Sequence, residues 1–480
     1  MDTSIGSSGG RATMGSQRLS GGLGPGAIVF MVVAAAAPLT VVAGVVPAGI
    51  TLGNGAAYPA AYVACTAVLL LFAAGFTAMS RHVKDAGAFY TYIAKGLGRK
   101  VGVGSAMLAL VTYATVQLAV WGYIGFAIDD LLTSHSGPHL PWWVWSLVCM
   151  AVVGWLGYRN IDLSGKVLGV LLVSEVLIVL LVNAFIVGKG GGPEGISTAA
   201  FQPSQFFNGA PGIALTFAIA GYIGFEATAI FRDEARNPDR TIPRATYLAL
   251  VVIGVFYAIS SWALVSAFGD SAVVDQIGAG KGIVSVAKSF VGSGASDLVQ
   301  VLLVTSLFAA ALAFHNVLAR YVHALGKSGV LPQRFGATHE YHVSPHVASV
   351  VQSLAALVWF AICVVAGLDP VAEIFTWFAG VAAVGVIVLM GLTSAAVIVF
   401  FRQRPGLTSR WHSLYAPALG GLGLIVFLAM TIQNLPLLVG GSTAIAWCVG
   451  IGLVLSFVVG FTLAQIRPHV ANDILEETAA

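Results

Sequence analysis

"GYIGFEATAIFRDEARNPDRTIPRA", residues 221–245, puts helix-weakening residues and a carboxylate inside an apolar run. Gly221 and Gly224 stand three apart, Glu226 follows where lipid or protein interior is expected, and a charge cluster with Pro238 and Pro243 closes the stretch. Glycine weakens a helix by about 1 kcal/mol relative to Ala. An acidic residue at the centre of a membrane helix costs about 2.5–3.5 kcal/mol on insertion scales. A segment that accepts both reads as an interrupted helix with a task.

The surrounding chain is apolar throughout. Its 480 residues are 58% hydrophobic and 9% charged, with a mean hydropathy of +0.90. A soluble domain carries about 25% charged residues, so the chain reads as an all-α integral membrane protein. The short alternating segments of a β-barrel are absent from the sequence. Twelve transmembrane helices are expected, near 26–50, 57–80, 101–132, 141–159, 164–188, 210–231, 243–268, 297–326, 346–367, 371–401, 414–437 and 443–466. Of 23 Lys and Arg residues, only Lys189, Lys281 and Lys288 fall on one side of these spans. The positive-inside rule then puts both termini in the cytoplasm. The Gly/Ser-rich residues 1–24 hold no apolar signal-peptide core and are expected to form a mobile tail, with a second tail at 467–480. The four cysteines lie in separate apolar segments, without metal-ligand spacing, so no metal and no cofactor is expected. The basic residues are spread over several inner loops, which argues against nucleic acid as a partner.

A second interruption matches the opening one. The first span carries "AAAAPLTVVAG" with Pro38 near its middle. Pro38 alone would read as a packing kink. Paired with a break five spans later, it points to inverted repeats around a midplane site.

At this point the chain resembles a known family. The opening stretch is similar to the signature of the amino acid–polyamine–organocation transporter superfamily, with Asn-Pro-x-Arg and a Pro entering the next span. "AMSRHVKDAGAFYTYIAKGLG" (78–98) and "RYVHALGKSGVLPQRFG" (320–336) resemble that family's loops after the second and eighth spans. The resemblance covers roughly residues 20–410. It implies a LeuT-type fold with five-helix repeats at 25–188 and 210–402, followed by two additional helices within 414–466. It also implies that the two unwound segments hold a substrate's α-carboxylate and α-amino groups. Half-helix ends offer free N–H groups to the one and carbonyls to the other. The expected substrate site is therefore Ala35, Ala36, Ala37, Pro38, Leu39 and Thr40 in the first span, with Phe217, Ala220, Gly221, Tyr222, Gly224 and Phe225 in the sixth. Ala220 stands where relatives can carry an aromatic gate, leaving either a roomier wall or a gate made by Phe217 and Tyr222.

Two carboxylates lie well inside the spans, Glu175 and Glu226, and such residues are functional candidates. Glu226 either receives N–H bonds from the restarting helix, contacts the first span, or holds the unwound segment in shape. Glu175 lies eleven residues after Ser164. In some proton-coupled family members a lysine stands at that spacing, between the fifth and first spans, where sodium-coupled relatives place a cation. A carboxyl there can exchange a proton as its hydration changes, or it can serve helix packing alone. His315, next to Asn316, is a third coupling or gating candidate.

The expected function is secondary active transport of amino acids, with membrane lipid as surroundings, a coupling proton as co-substrate and the plasma membrane as location. A polyamine or other amine carrier, or an amino acid antiporter, is the alternative. A channel would want a polar continuous pore, and an enzyme a catalytic constellation at matching depth. The sequence offers neither.

Overall fold

The computed structural model describes residues 23–83, 88–159, 165–338 and 345–467. The expected terminal tails lie almost entirely outside the described residues, as do Lys84 and Ser164. The described chain is helical and holds no strand; its only bridges are isolated ones, Leu23 with Ala235 and Gly192 with Gly195.

The helices run in chain order as α1 (Pro25–Ala35), α2 (Pro38–Ala57), α3 (Pro59–Ser80), α4 (Ala88–Leu97), α5 (Arg99–Ser134), α6 (Trp142–Tyr158) and α7 (Gly165–Gly188). Then follow α8 (Pro211–Ala220), α9 (Ala227–Ile230), α10 (Pro238–Phe268), α11 (Ile283–Phe290), α12 (Ser293–Lys327), α13 (His346–Val365), α14 (Pro370–Gln403), α15 (Trp411–Gln433) and α16 (Thr443–Ile466). Short one-turn pieces fill some of the connections. Ten of the described helices are long and apolar enough to cross a membrane, while α6 and α8 are shorter apolar helices.

Burial divides these helices into an inside and an outside. The most apolar windows of α5 and α14 are each 67% buried, whereas that of α16 is 17% buried. The faces left open are themselves apolar: Val365, Trp447, Val454 and Ile466 are all exposed. Such a surface is stable against lipid and unstable against water. The core thus forms around α2, α3, α5, α8, α12 and α14, and the later helices pack against its flank.

Small residues let the helices approach closely enough to exclude lipid. A Cβ at Gly212 of α8 would collide with the Met430 backbone of α15. Beside it Thr216 and Thr431 share a 2.6 Å hydroxyl contact, and Thr431 donates to the Gly212 carbonyl at 3.1 Å. This anchors α8 rigidly on one side, so the chain after it can unwind without the helix drifting. Gly212→Ala should force the two backbones apart and cost about 1–3 kcal/mol. The purified variant should melt several degrees lower. Gly391→Ala, whose Cβ meets nothing within 4 Å, should melt like the unaltered protein or slightly higher.

Candidate functional site

The first break follows from its sequence. Proline disfavours the helical conformation for the residue before it and is well placed at the first helical position. Helix α1 accordingly ends at Ala35, Ala36 turns, and Ala37 takes φ 46° and ψ 69°, in the left-handed region, before Pro38 opens α2. A helix C-terminus and a helix N-terminus now meet inside the protein, bringing orphan carbonyls and orphan N–H groups together.

The second break is milder. Helix α8 stops at Ala220, and the chain continues through three-residue turns, with Tyr222 N–H on the Ile219 carbonyl at 2.9 Å and Phe225 N–H on the Tyr222 carbonyl at 3.1 Å. Gly224 takes φ 108°, a backbone that only glycine adopts at little cost. Helix α9 then starts at Ala227.

Each of the two deep carboxylates holds one of these breaks. Glu226 is buried, and its Oε2 accepts the Gly224 N–H at 2.9 Å while its Oε1 accepts the Tyr113 hydroxyl of α5 at 2.6 Å. The bond thus comes from inside the turn, not from the restarting helix, and it pins the unwound segment to α5. Glu175 on α7 is also buried. Its Oε2 accepts the Leu39 N–H at the start of α2, at 3.3 Å, and the Ser306 hydroxyl of α12, at 2.9 Å. Thr40 Oγ1 in turn donates to Ser306 Oγ at 3.2 Å. A chain of hydroxyls therefore runs from Thr40 through Ser306 to Glu175. Leu39, expected to offer its amide to a ligand, gives it to Glu175.

Beside the first break lies a cavity of about 60 Å³. Of the residues expected at a substrate site, Ala36, Ala37, Thr40 and Ala220 line it, joined by Ile223, Phe314 and Phe375 among others. The remaining expected residues are placed differently. Ala35 ends α1, while Pro38 and Leu39 are buried beside the cavity without lining it. Phe217 is fully buried in the core. Gly221 faces Tyr62 and Val41, and the Tyr222 hydroxyl turns away toward Thr66 at 2.6 Å and the Tyr62 carbonyl at 3.2 Å. Phe225 packs edge-on against Phe72, with ring centroids 6.1 Å apart, in a cluster with Phe76 and Phe89. Phe217 and Tyr222 therefore do not stand at the cavity as gates; the aromatic residues there are Phe314 and Phe375. His315 points elsewhere, sharing a 2.9 Å contact with Ser349 of α13 and packing over Gly157 of α6.

Above this cavity opens a second, of about 750 Å³, on the face that carries Lys281 and Lys288. Its walls include Asp130, Asp297, Asp369 and Gln300. Tyr123 and Phe375 stand between the two spaces with ring centroids 4.8 Å apart, and Tyr123 donates to the Ala43 carbonyl at 2.8 Å. On the opposite side the Phe72–Phe76–Phe89–Phe225 cluster fills the interior, and Arg236 N–H binds the Leu23 carbonyl at 3.0 Å. The arrangement is a wide vestibule over a thin aromatic barrier on one side and a thick plug on the other. Among the described residues no group of three or more His, Cys, Asp or Glu could hold a metal ion.

Tyr113, Ser306, Tyr123, Phe314 and Phe375 were not legible from the chain, since each meets its partner across a large sequence separation. The only signal was a polar group in an apolar span, which Ser306 shares with many packing hydroxyls. Tyr113→Phe should leave Glu226 one hydrogen bond short and cost about 1–3 kcal/mol. A lowered melting temperature in the purified variant would register it, and an unchanged one would show that the turn does not rely on this bond.

Comparison with known proteins accords with this arrangement. A family model described as amino acid permease matches residues 27–464. The chain is 22% identical over 316 residues to the low-affinity putrescine importer PlaP of Escherichia coli K12, covering 64% of this chain and 67% of that protein. It is 25% identical over 418 residues to the branched-chain amino acid permease BcaP of Bacillus subtilis, covering 82% and 83%. The aromatic amino acid transport protein AroP of Escherichia coli O6:H1 is 26% identical over 179 residues, 36% of this chain and 38% of that one. With broken helices, buried carboxylates and a family match along nearly its whole length, this multi-pass membrane chain belongs to the amino acid permease family.

Proposed function

We propose that the protein imports neutral amino acids together with protons, by alternating access. In this reading α1–α2 together, α6, and α8 with its following turn complete twelve spans. Residues 25–188 and 210–402 form two inverted five-helix repeats, with α15 and α16 added within 414–466. Both termini lie in the cytoplasm of a cell whose plasma membrane holds the protein, in keeping with all but three of the Lys and Arg residues falling on that side. The vestibule then faces outward.

The observation that carries the proposal is the hydroxyl chain from Thr40, a residue of the cavity wall, through Ser306 to Glu175. It links the place where a substrate would sit to a carboxyl able to take a proton. A charged carboxylate makes strong hydrogen bonds to Leu39 N–H and Ser306, and these weaken when it is neutral. Protonation would therefore loosen the tie among α2, α7 and α12, while the return of charge would tighten it. A gate that opens inward only after protonation moves substrate and proton together.

The cavity speaks for the substrate. Its lining is apolar except for Thr40 and backbone groups, and it contains no carboxylate. A diamine would need an anionic or aromatic partner at each end, whereas an amino acid needs helix ends for its zwitterion and an apolar wall for its side chain. At about 60 Å³ the space is smaller than the ~150 Å³ of a cavity that accepts benzene. Phe314 and Phe375 would have to swing aside as a substrate enters. The likeness to BcaP favours a branched aliphatic side chain, and the likeness to PlaP keeps an amine as the competing reading.

In proteoliposomes, uptake should rise as the outside is made more acid, because the protonated carboxyl is the transport-ready form. Glu175→Gln should retain counterflow exchange and lose pH-driven accumulation; accumulation by that variant under an imposed proton gradient would place the coupling elsewhere. Ala220→Trp, which inserts an indole into the cavity, should narrow uptake to the smallest amino acids while the protein stays folded. Saturable putrescine uptake without amino acid uptake would decide for the amine reading.

A further inference from the structure

The lid between the cavity and the vestibule is carried by two helices and seated on a third. Tyr123 comes from α5 and Phe375 from α14, and both are buried. One residue before each ring the two helices are pressed together. A Cβ at Gly122 would stand 2.7 Å from the Ile374 side chain and 2.7 Å from the Pro370 carbonyl oxygen, well inside the usual contact separation of about 3.5–4.0 Å. Helices α5 and α14 therefore hold the two rings as one piece. The seat is α2. Its residues Val41–Val45 are wound as a π-helix, a wide turn found mostly at functional sites. Gly44 in this turn faces both rings: a Cβ there would stand 2.5 Å from Phe375 Cε1 and 2.8 Å from Tyr123 Cε1. The rings lie in a notch that exists because residue 44 has no side chain.

Beside the notch, the Tyr123 hydroxyl donates to the Ala43 carbonyl at 2.8 Å. A carbonyl oxygen has two lone pairs, so it can serve the tyrosine without the turn unwinding. Among the described residues this is the only hydrogen bond that joins α2 to α5 or α14. The residues of these three helices that line the cavity are otherwise apolar, except Thr40, which bonds to Ser306 of α12 instead. We propose that Tyr123 is the latch of the lid and Gly44 its seat, both acting by positioning. The cavity opens to the vestibule when the bond from Tyr123 to Ala43 breaks and α2 parts from the α5–α14 pair. It closes fully only because residue 44 leaves room for both rings. Leu39 on the same helix is tied to Glu175, so the latch and the carboxylate hold α2 at two points.

The inference rests on the reading of the cavity as the substrate space and of the vestibule as its outer approach, and the test separates the two. Ala379→Cys puts a thiol in the cavity wall and Ser293→Cys puts one in the vestibule. Native Cys65, fully buried, gauges general loosening. The full chain in intact cells is treated from outside with a membrane-impermeant methanethiosulfonate, and mass spectrometry follows each thiol. The Ser293→Cys thiol should react fast and the Ala379→Cys thiol slowly. Tyr123→Phe keeps the ring and removes the latch, so the cavity thiol should react about two- to tenfold faster, the worth of one net hydrogen bond. Gly44→Ala should also speed it. The atoms in the way are ring edges rather than backbone, so the lid yields and the helices stay. Neither variant should change the vestibule thiol or expose Cys65. A cavity thiol that reacts no faster in Tyr123→Phe overturns the latch, and so does a gain shared by Cys65; both leave the transport reading standing. A vestibule thiol that reacts only in inside-out vesicles overturns the outward orientation instead, and the same rates measured in those vesicles then decide the latch.

Discussion

The interaction on which the rest depends is the bond from Leu39 N–H to the Glu175 carboxylate. A helix that restarts inside a membrane protein leaves its first N–H groups without partners, and hydrocarbon cannot supply any. Pro38 removes one of those donors by chemistry, and Glu175 accepts the next. The break in the first span can therefore exist at this depth only because another helix brings a carboxylate to it. That same carboxylate takes the Ser306 hydroxyl, so three helices meet at a single oxygen atom.

The sixth-span break is held by the same device with different parts. Glu226 accepts an N–H from its own turn and a hydroxyl from Tyr113. Here the carboxylate faces the turn from within, and it is α5 that is brought to it. The difference fits the proposed division of labour. Glu226 shapes a wall of the cavity, while Glu175 is tied through Ser306 and Thr40 to the cavity lining itself. In that proposal the first is an anchor, and the second would pass its protonation state to the cavity through Ser306 and Thr40.

Access to that space is asymmetric. Toward the vestibule only the Tyr123 and Phe375 rings intervene, and rings can rotate. Toward the basic face the barrier is a packed aromatic cluster built from α3, α4 and the sixth-span turn, with Arg236 and Leu23 joined beyond it. Opening that side requires the turn after Ala220 to move. Gly224, at φ 108°, is where the backbone has least resistance to doing so. The two weak points written into the chain as Gly and Pro thus lie where an alternating mechanism would bend.

Much of this was legible in the chain. Hydropathy alone gave an all-helical membrane protein, because apolar runs of this length have no other stable home. Pro38, Gly221, Gly224 and Glu226 announced both breaks, because backbone chemistry is local and acts wherever those residues stand. Ala36, Ala37, Thr40 and Ala220, read from the chain as substrate-site residues, line one small cavity. Which way side chains turn around a broken helix was not legible. Phe217, Tyr222 and Phe225 sit close to the break in sequence yet pack away from the cavity, while Phe314 and Phe375 arrive there from distant helices. Pairings such as Glu175 with Ser306, or Glu226 with Tyr113, join residues more than a hundred positions apart, and no periodicity or spacing encodes them. The sequence determined where the backbone would fail to be a helix, since that depends on a few adjacent residues. Only the tertiary structure decided what would satisfy the exposed backbone there, since each partner comes from whichever helix the packing brings alongside.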